Sequence, residues 1–166
     1  MCWSAVQGGA RIKKLPINPY TGGQAQSNNP DTWSDFYTAV NASARFTGIG
    51  FMFGNCPYFG VDIDHVENEI AGYKNGESNI VTEFVTMLQS YTELSQSGTG
   101  IHIICKGHLP KQGRRRGNVE MYETGRFFVM TGNACTAYSV SPALCAKNGT
   151  GGSRAVPTVL SQYKKQ

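Results

Sequence analysis

No stretch of the sequence reaches the ~18 consecutive apolar residues that a membrane-crossing helix requires, so no helical membrane span is expected. The opening Met1-Cys2-Trp3-Ser4 has no basic segment followed by an apolar one, so no secretory signal is expected and the chain is placed in the cytoplasm. There are five cysteines and no C-x-x-C pair, which speaks against both a disulfide framework and a zinc ribbon. Charged residues make up only 16% of the chain against 40% hydrophobic ones, which is not the balance of a disordered polymer. Histidine is scarce: His65, His102 and His108 are the full complement, and no two are spaced H-x-H.

What is present suits one domain. The 166 residues are enough for a sizeable core without covalent staples. Twenty glycines and seven prolines imply frequent turns and short strands. The net charge is +4, and the basic residues are uneven: Lys106, Lys111, Arg114, Arg115 and Arg116 fall in one short stretch. A mildly basic chain is compatible with a polyanionic partner. Cys105 and His108 have C-x-x-H spacing, with Cys135 and Cys145 beyond; the alternatives are a zinc site and a buried Cys105 continuing the apolar run from Ile101.

The pattern along the chain alternates short elements. Residues 1–30 are polar and turn-rich, and Pro16, Pro19, Gly22 and Gly23 mark a loop or hairpin. Asp31 is the expected cap of a helix carrying Trp33, Phe36, Tyr37 and Val40. Strands are expected at 48–53 and 58–66, then a loop rich in Gly and Asn. Ser78 is the expected cap of a helix with Ile80, Phe84, Val85 and Leu88 on its apolar face. Strands follow at 91–94, 101–105, 119–122 and 126–131. The order predicts an α/β (α+β) fold with a mostly antiparallel sheet backed by helices. A Gly-, Ser- and Lys-rich stretch, 147–166, reads as a flexible tail or linker after a domain of 1–146.

Three short motifs carry chemistry. In Val61-Asp62-Ile63-Asp64-His65, strand alternation places Asp62 and Asp64 on one face. Two adjacent carboxylates repel unless a cation lies between them, and Mg²⁺ or Mn²⁺ prefers such oxygen donors; the plain alternative is a strand end with two exposed acids. In Ser95-Gln96-Ser97-Gly98-Thr99-Gly100-Ile101-His102, the glycines permit a tight turn whose backbone N–H groups and Ser97 hydroxyl suit a phosphate. His102 then points away from Ile101 and Ile103. In Val119-Glu120-Met121-Tyr122-Glu123-Thr124-Gly125-Arg126, Glu120 alternates with apolar neighbours and is a candidate third carboxylate. Arg126 opens the last strand and is either an anion contact or the salt-bridge partner of Glu123.

Taken together these motifs resemble the archaeo-eukaryotic primase superfamily, specifically the primase-polymerase (prim-pol) domains of phages, plasmids and integrated elements. The family order is D-x-D, then S-x-H, then an acid on a later strand, matched here by Asp62/Asp64, Ser97 to His102, and Glu120. Lys14-Leu15-Pro16-Ile17-Asn18-Pro19, Gly48-Ile49-Gly50-Phe51 and Glu120 to Gly132 extend the resemblance over about 13–132. The N-terminus is short by comparison with relatives.

The resemblance implies an RNA-recognition-motif-like catalytic sheet (about 48–146) with a small N-terminal α/β annex (about 1–47). It implies nucleotidyl transfer with a two-metal site of Mg²⁺ or Mn²⁺ held by Asp62, Asp64 and Glu120. The triphosphate is expected on Ser97, Gly98, Gly100, His102 and Arg126. Lys111, Arg114, Arg115 and Arg116 are expected either to hold nucleic acid or to form a solvated loop. Expected partners are single-stranded DNA template and primer, nucleoside triphosphates, and a helicase or helical C-terminal primase region in the full-length protein, with no membrane. Two rivals remain. A rolling-circle initiator needs H-x-H and a nucleophilic Tyr, and the H-x-H is missing. A non-catalytic single-strand-binding module favours aromatics and cations on its sheet, where Asp62, Asp64 and Glu120 would oppose DNA.

Overall fold

The computed structural model describes residues 1–9, 11–54, 56–109 and 114–136. Lys111, Cys145 and the expected tail lie outside them. The fold is mixed α+β, and every strand pairing among the described residues is antiparallel. Contacts divide the chain into two compact units. The first comprises Met1–Asn55 with Thr124–Thr131, and the second comprises Cys56–Glu123 with the chain from Gly132 onward.

The first unit is a four-stranded sheet in the order β2-β1-β3-β9. Strands β1 (Cys2–Gly8) and β2 (Arg11–Ile17) form a seven-residue ladder; β3 is Gly48–Phe53 and β9 is Arg126–Val129. The sequence reading of 1–30 as loop or hairpin saw the turn after Ile17 but not β1. Its centre, Ala5 to Gln7, is exposed, so no alternation marks it. Helix α1 (Phe36–Ala42) covers the sheet, with Ala39 and Ala42 against Cys2, Ile17 and Ile49.

The expected cap of this helix was Asp31; the cap is Asp35, whose carboxylate accepts from the Thr38 N–H at 2.9 Å. The physical reason lies upstream. Asn29 caps a short 3-10 turn over Pro30–Thr32, which uses up Asp31. Trp33 leaves that turn with an extended backbone and bonds Gln26 O through its indole N–H at 2.7 Å.

The second unit holds a five-stranded sheet in the order β5-β6-β4-β8-β7. Its strands are β4 (Tyr58–Ile63), β5 (Tyr91–Leu94), β6 (Ile101–Lys106), β7 (Arg115–Arg116) and β8 (Val119–Tyr122). One face carries Val61, Ile63, Ile101, Ile103, Val119 and Met121, all buried against helices α2 (Glu67–Lys74) and α3 (Ile80–Leu88). Phe84, 1% exposed, is among the largest side chains in this core. Cys105 belongs to it, with Cys135 packed against it.

Three local expectations change here. The strand expected to run to Val66 ends at Ile63, because His65 adopts a left-handed backbone (φ 55°) that turns the chain out of the ladder. The segment expected as a loop contains α2, whose buried Ile70 and Gly72 carry little apolar periodicity. Helix α3 is capped by Asn79, not Ser78: Asn79 Oδ1 accepts from the Thr82 N–H at 3.1 Å. Among the described residues no helix is long and apolar enough to cross a membrane.

Candidate active site

The candidate site is the face of the five-stranded sheet opposite the helices. In an antiparallel ladder, directly opposed residues share a face. The register aligns Glu93 with His102, His102 with Asp62, Asp62 with Glu120, and Glu120 with Arg115. One row of ionisable side chains therefore crosses all five strands. Within it, His102 Nε2 lies 3.7 Å from Asp62 Oδ1, and His102 Nδ1 lies 3.6 Å from Glu93 Oε1. Arg115 Nε lies 2.8 Å from Glu120 Oε1. The row runs from buried to open: Glu93 is 0% exposed, His102 7%, Asp62 18%, Glu120 21% and Arg115 77%.

Asp62 and Glu120 are thus carboxylates facing each other across adjacent strands, with a cationic or basic side chain at either end of the pair. Like charges in that relation repel. Arg115 offsets part of the repulsion, and a divalent ion is suited to offset the rest because both donors are hard oxygens. Asp64 stands one residue beyond the strand, exposed, with its N–H bonded to Asn118 O at 3.0 Å. Among the described residues no three His, Cys, Asp or Glu side chains, as they stand, converge closely enough to enclose one ion.

The turn before His102 is closed by its own groups. Ser95 N–H donates to Gly100 O at 2.8 Å, Gly98 N–H to Ser95 O at 2.9 Å, and Gly100 N–H to Ser95 Oγ at 3.1 Å. Gly98 takes φ +78°, which L side chains rarely adopt. The N–H groups of Gly98 and Gly100, expected to be open to a phosphate, are therefore spent inside the turn. What it presents instead is a chain of hydroxyls, Ser95 to Ser97 at 3.0 Å and Ser97 to Thr99 at 2.8 Å. The turn is also tied to the end of β4, since Val66 N–H donates to Thr99 O at 2.9 Å. A Cβ on Gly100 would stand 2.5 Å from Ile63 O and 3.2 Å from Asp64 Oδ1, so the Asp64 carboxylate lies beside this turn.

Among the described residues the basic side chains of this stretch do not form one patch. Arg115 lies in the row; Arg114 Nη2 pairs with Glu123 Oε2 at 3.4 Å; Arg116 opposes Val119 and lines a cleft with Val66, Glu69 and Asn79. Glu123 also accepts from the Leu109 N–H at 3.2 Å and meets His108 Nδ1 at 2.6 Å. Burial raises the Glu123 pKa, but these bonds and the nearby Arg114 outweigh it and hold the carboxyl below its ordinary value. His108 is thereby turned to a carboxylate, while Cys105 is buried in the core. Arg126 belongs to the first unit, on the exposed start of β9, where it edges a cleft with Gln24, Gln26 and Phe127.

Glu93 is the residue the sequence reading missed. Its signal was a lone acid inside the four-residue strand Tyr91-Thr92-Glu93-Leu94, sharing the parity that His102 has in its own strand. Thr99 also went unnoticed beside Ser97.

The order of acid, histidine and acid is now a spatial arrangement on one sheet. A DNA primase-polymerase from Nitratiruptor phage NrS-1 is 32% identical to the chain over 131 residues, 74% of the chain. The chain is a relative of the phage primase-polymerases and carries a prim-pol domain. The aligned part spans 18% of that phage protein's length. No family model matches the chain.

Proposed function

We propose that the five-stranded sheet is the nucleotidyl-transfer centre of a DNA primase-polymerase that makes or extends primers on single-stranded DNA. The 3′-hydroxyl of a primer attacks the α-phosphate of an incoming nucleoside triphosphate. An O–P bond forms, the α–β bridge breaks, pyrophosphate leaves and the hydroxyl proton passes to solvent. The row Glu93–His102–Asp62–Glu120–Arg115 is the observation that carries this reading, because it gathers on one open face the residue types the reaction needs.

Asp62, Glu120 and Asp64 would hold Mg²⁺ or Mn²⁺, which supplies activation of the attacking oxygen and stabilisation of the leaving one. His102 offers its Nε2 edge to the phosphates, and the hydroxyls of Ser97 and Thr99 add neutral donors beside it. Gly98 and Gly100 serve by letting that turn close against β4. Arg115 meets phosphate charge at the row's open end, and Lys111 and Arg114 would add charge for the template. Arg116 faces the cleft beside Asn79, and Arg126 stands on β9 in the first unit, so neither joins the row.

The test is primer extension on a single-stranded template with Mg²⁺ or Mn²⁺, comparing the native chain with Asp62→Asn and Glu120→Gln. Each substitution should lower incorporation by roughly 10²–10³-fold or more while the circular dichroism spectrum is kept. Undiminished, metal-dependent extension by Asp62→Asn defeats the assignment. Metal-independent single-strand binding without incorporation makes the chain a binding module instead.

A further inference from the structure

We propose that the outer half of the β1–β2 hairpin enters a groove of the primer–template duplex, with Lys13 and Lys14 meeting the phosphates of its two walls. The proposal rests on the reading of the sheet given above, which makes such a duplex the substrate. Strand β1 pairs with β3 only at Cys2 and Trp3, while its ladder with β2 continues to Gly8. Strand β2 is an edge strand, met on its far side only near Pro16 and Ile17 among the described residues. From Ala5 and Lys14 outward, the two strands therefore form a ribbon without a third strand. Helix α1 packs at the other end, on Cys2 and Ile17. Ala5, Val6, Gln7, Ile12, Lys13 and Lys14 are all exposed, so both faces of the ribbon are open. Ile12 is 65% exposed, and an apolar side chain left uncovered in this way suits a surface that is covered on binding.

The charge here has one sign. Residues 1–30 contain no acid, and the acids of the first unit, Asp31 and Asp35, lie in the 3-10 turn and at the cap of α1. Lys13 and Lys14 meet no carboxylate among the described residues. Consecutive strand residues point to opposite faces, and the register sets Lys13 opposite Val6 and Lys14 opposite Ala5. The stem of Lys13 lies over Gly8, where a Cβ would stand 2.7 Å from Lys13 Cε. The missing side chain thus lets the ammonium reach toward the hairpin's far end.

A strand layer with its side chains is about 10 Å thick, and the ~12 Å major groove of DNA admits a two-stranded ribbon. Standing in that groove, the ribbon turns one face to each phosphate wall, so each lysine has a wall to itself. A single strand offers one backbone, which one face takes at a time. Lysines on an edge strand also discourage pairing with other sheets, a role that predicts no effect on nucleic-acid binding.

The test is binding of the 166-residue protein to a fluorescent DNA primer–template duplex, read by anisotropy between about 50 and 200 mM salt without nucleotide. Each phosphate contact contributes about 0.9 to the slope of log K against log salt concentration. Lys13→Gln and Lys14→Gln should each reduce that slope by about 0.9, and the double variant by about 1.8. Affinity should fall by up to about fivefold per site, the range of an exposed ion pair. Lys13→Arg with Lys14→Arg should keep the native slope, which separates charge from shape. On a single strand of equal length the double variant should lose no more than one contact, about 0.7 in slope. Slopes and affinities unchanged on the duplex overturn the proposal and leave the lysines as guards of the edge strand. A native chain that binds no duplex overturns it too, and an equal two-contact loss on the single strand overturns the two-wall geometry. Because no turnover is involved, a failed extension assay counts against the sheet, and an unmoved slope against the ribbon.

Discussion

His102 sits between two carboxylates on a sheet whose other face carries the apolar core, and that position limits what substitutions there can do to the fold. Its neighbours Ile101 and Ile103 hold the core, while its own ring contributes to the opposite face. Replacing it removes no core volume. His102→Ala is therefore expected to leave the fold in place and to weaken nucleotide binding more than template binding. A charge-assisted hydrogen bond is worth ~1.5–3 kcal/mol, so nucleotide affinity should fall roughly ten- to a hundredfold. Titration of the nucleotide and of single-stranded DNA, each monitored separately, gives the two affinities. A loss confined to DNA binding would remove His102 from the nucleotide site. The Arg115–Glu120 pair is different in kind. Arg115 is mostly exposed, so the pair adds at most ~1 kcal/mol to folding, and its value lies in the charge it brings to the row's open end.

At the level of elements, the site depends on how β4 ends. The strand stops at Ile63, Asp64 keeps one backbone bond to Asn118, and His65 turns the chain so that Val66 can bond Thr99. The hydroxyl-bearing turn and the second aspartate are thus anchored on the same strand end. Gly100 is the joint, since only a residue without a Cβ fits against Ile63 O. Gly100→Ala should cost about 1–3 kcal/mol, the usual penalty for forcing extra atoms into a packed site. It should also depress nucleotide incorporation by more than the stability loss accounts for, because Asp64 and Ser97 shift together. Thermal melting and primer extension on one preparation measure both. Native activity in a variant destabilised by that amount would show that the turn need not be tied to β4.

At the level of the whole molecule, the chain leaves the first unit after residue 55, builds most of the second, returns to contribute β9, and leaves again at Gly132. Gly132 then donates its N–H to Glu93 Oε2 at 2.9 Å. For the proposed reaction, the molecule would have to gather ligands as well as perform chemistry. Starting a chain means holding two nucleotides and a template with no duplex to align them, and each ligand brought together loses translational and rotational freedom. Extension avoids one of those losses, because a base-paired primer already presents its terminus. The 166-residue protein should therefore extend an annealed primer more efficiently than it forms a new dinucleotide. The ratio of the two products, on one template at matched nucleotide and Mn²⁺ concentrations, is the measurement. Unprimed synthesis as efficient as extension would place an initiation site within these residues.

Several features of the protein were decided by the sequence alone. Short strands with alternating apolar residues at 119–122, and the Gly98–Gly100 turn before 101–105, are set by local sterics and side-chain period, and the structure has them there. The burial of Cys105 followed from the apolar run it continues. Other features needed the tertiary structure. Strand β1 has an exposed centre and helix α2 little apolar periodicity, so both form because neighbouring elements satisfy and cover them. The cap of α1 moved from Asp31 to Asp35 because Asn29 had already claimed the first turn for a 3-10 helix. Above all, the row across the sheet is a matter of register. Local sequence says which side of its own strand Asp62, His102, Glu93 or Glu120 occupies, but not which residue of a neighbouring strand lies opposite. A slip of one residue would send a strand's whole polar set to the other face, and the packing of Val61, Ile63, Ile101, Ile103 and Met121 against α2 and α3 is what forbids that slip.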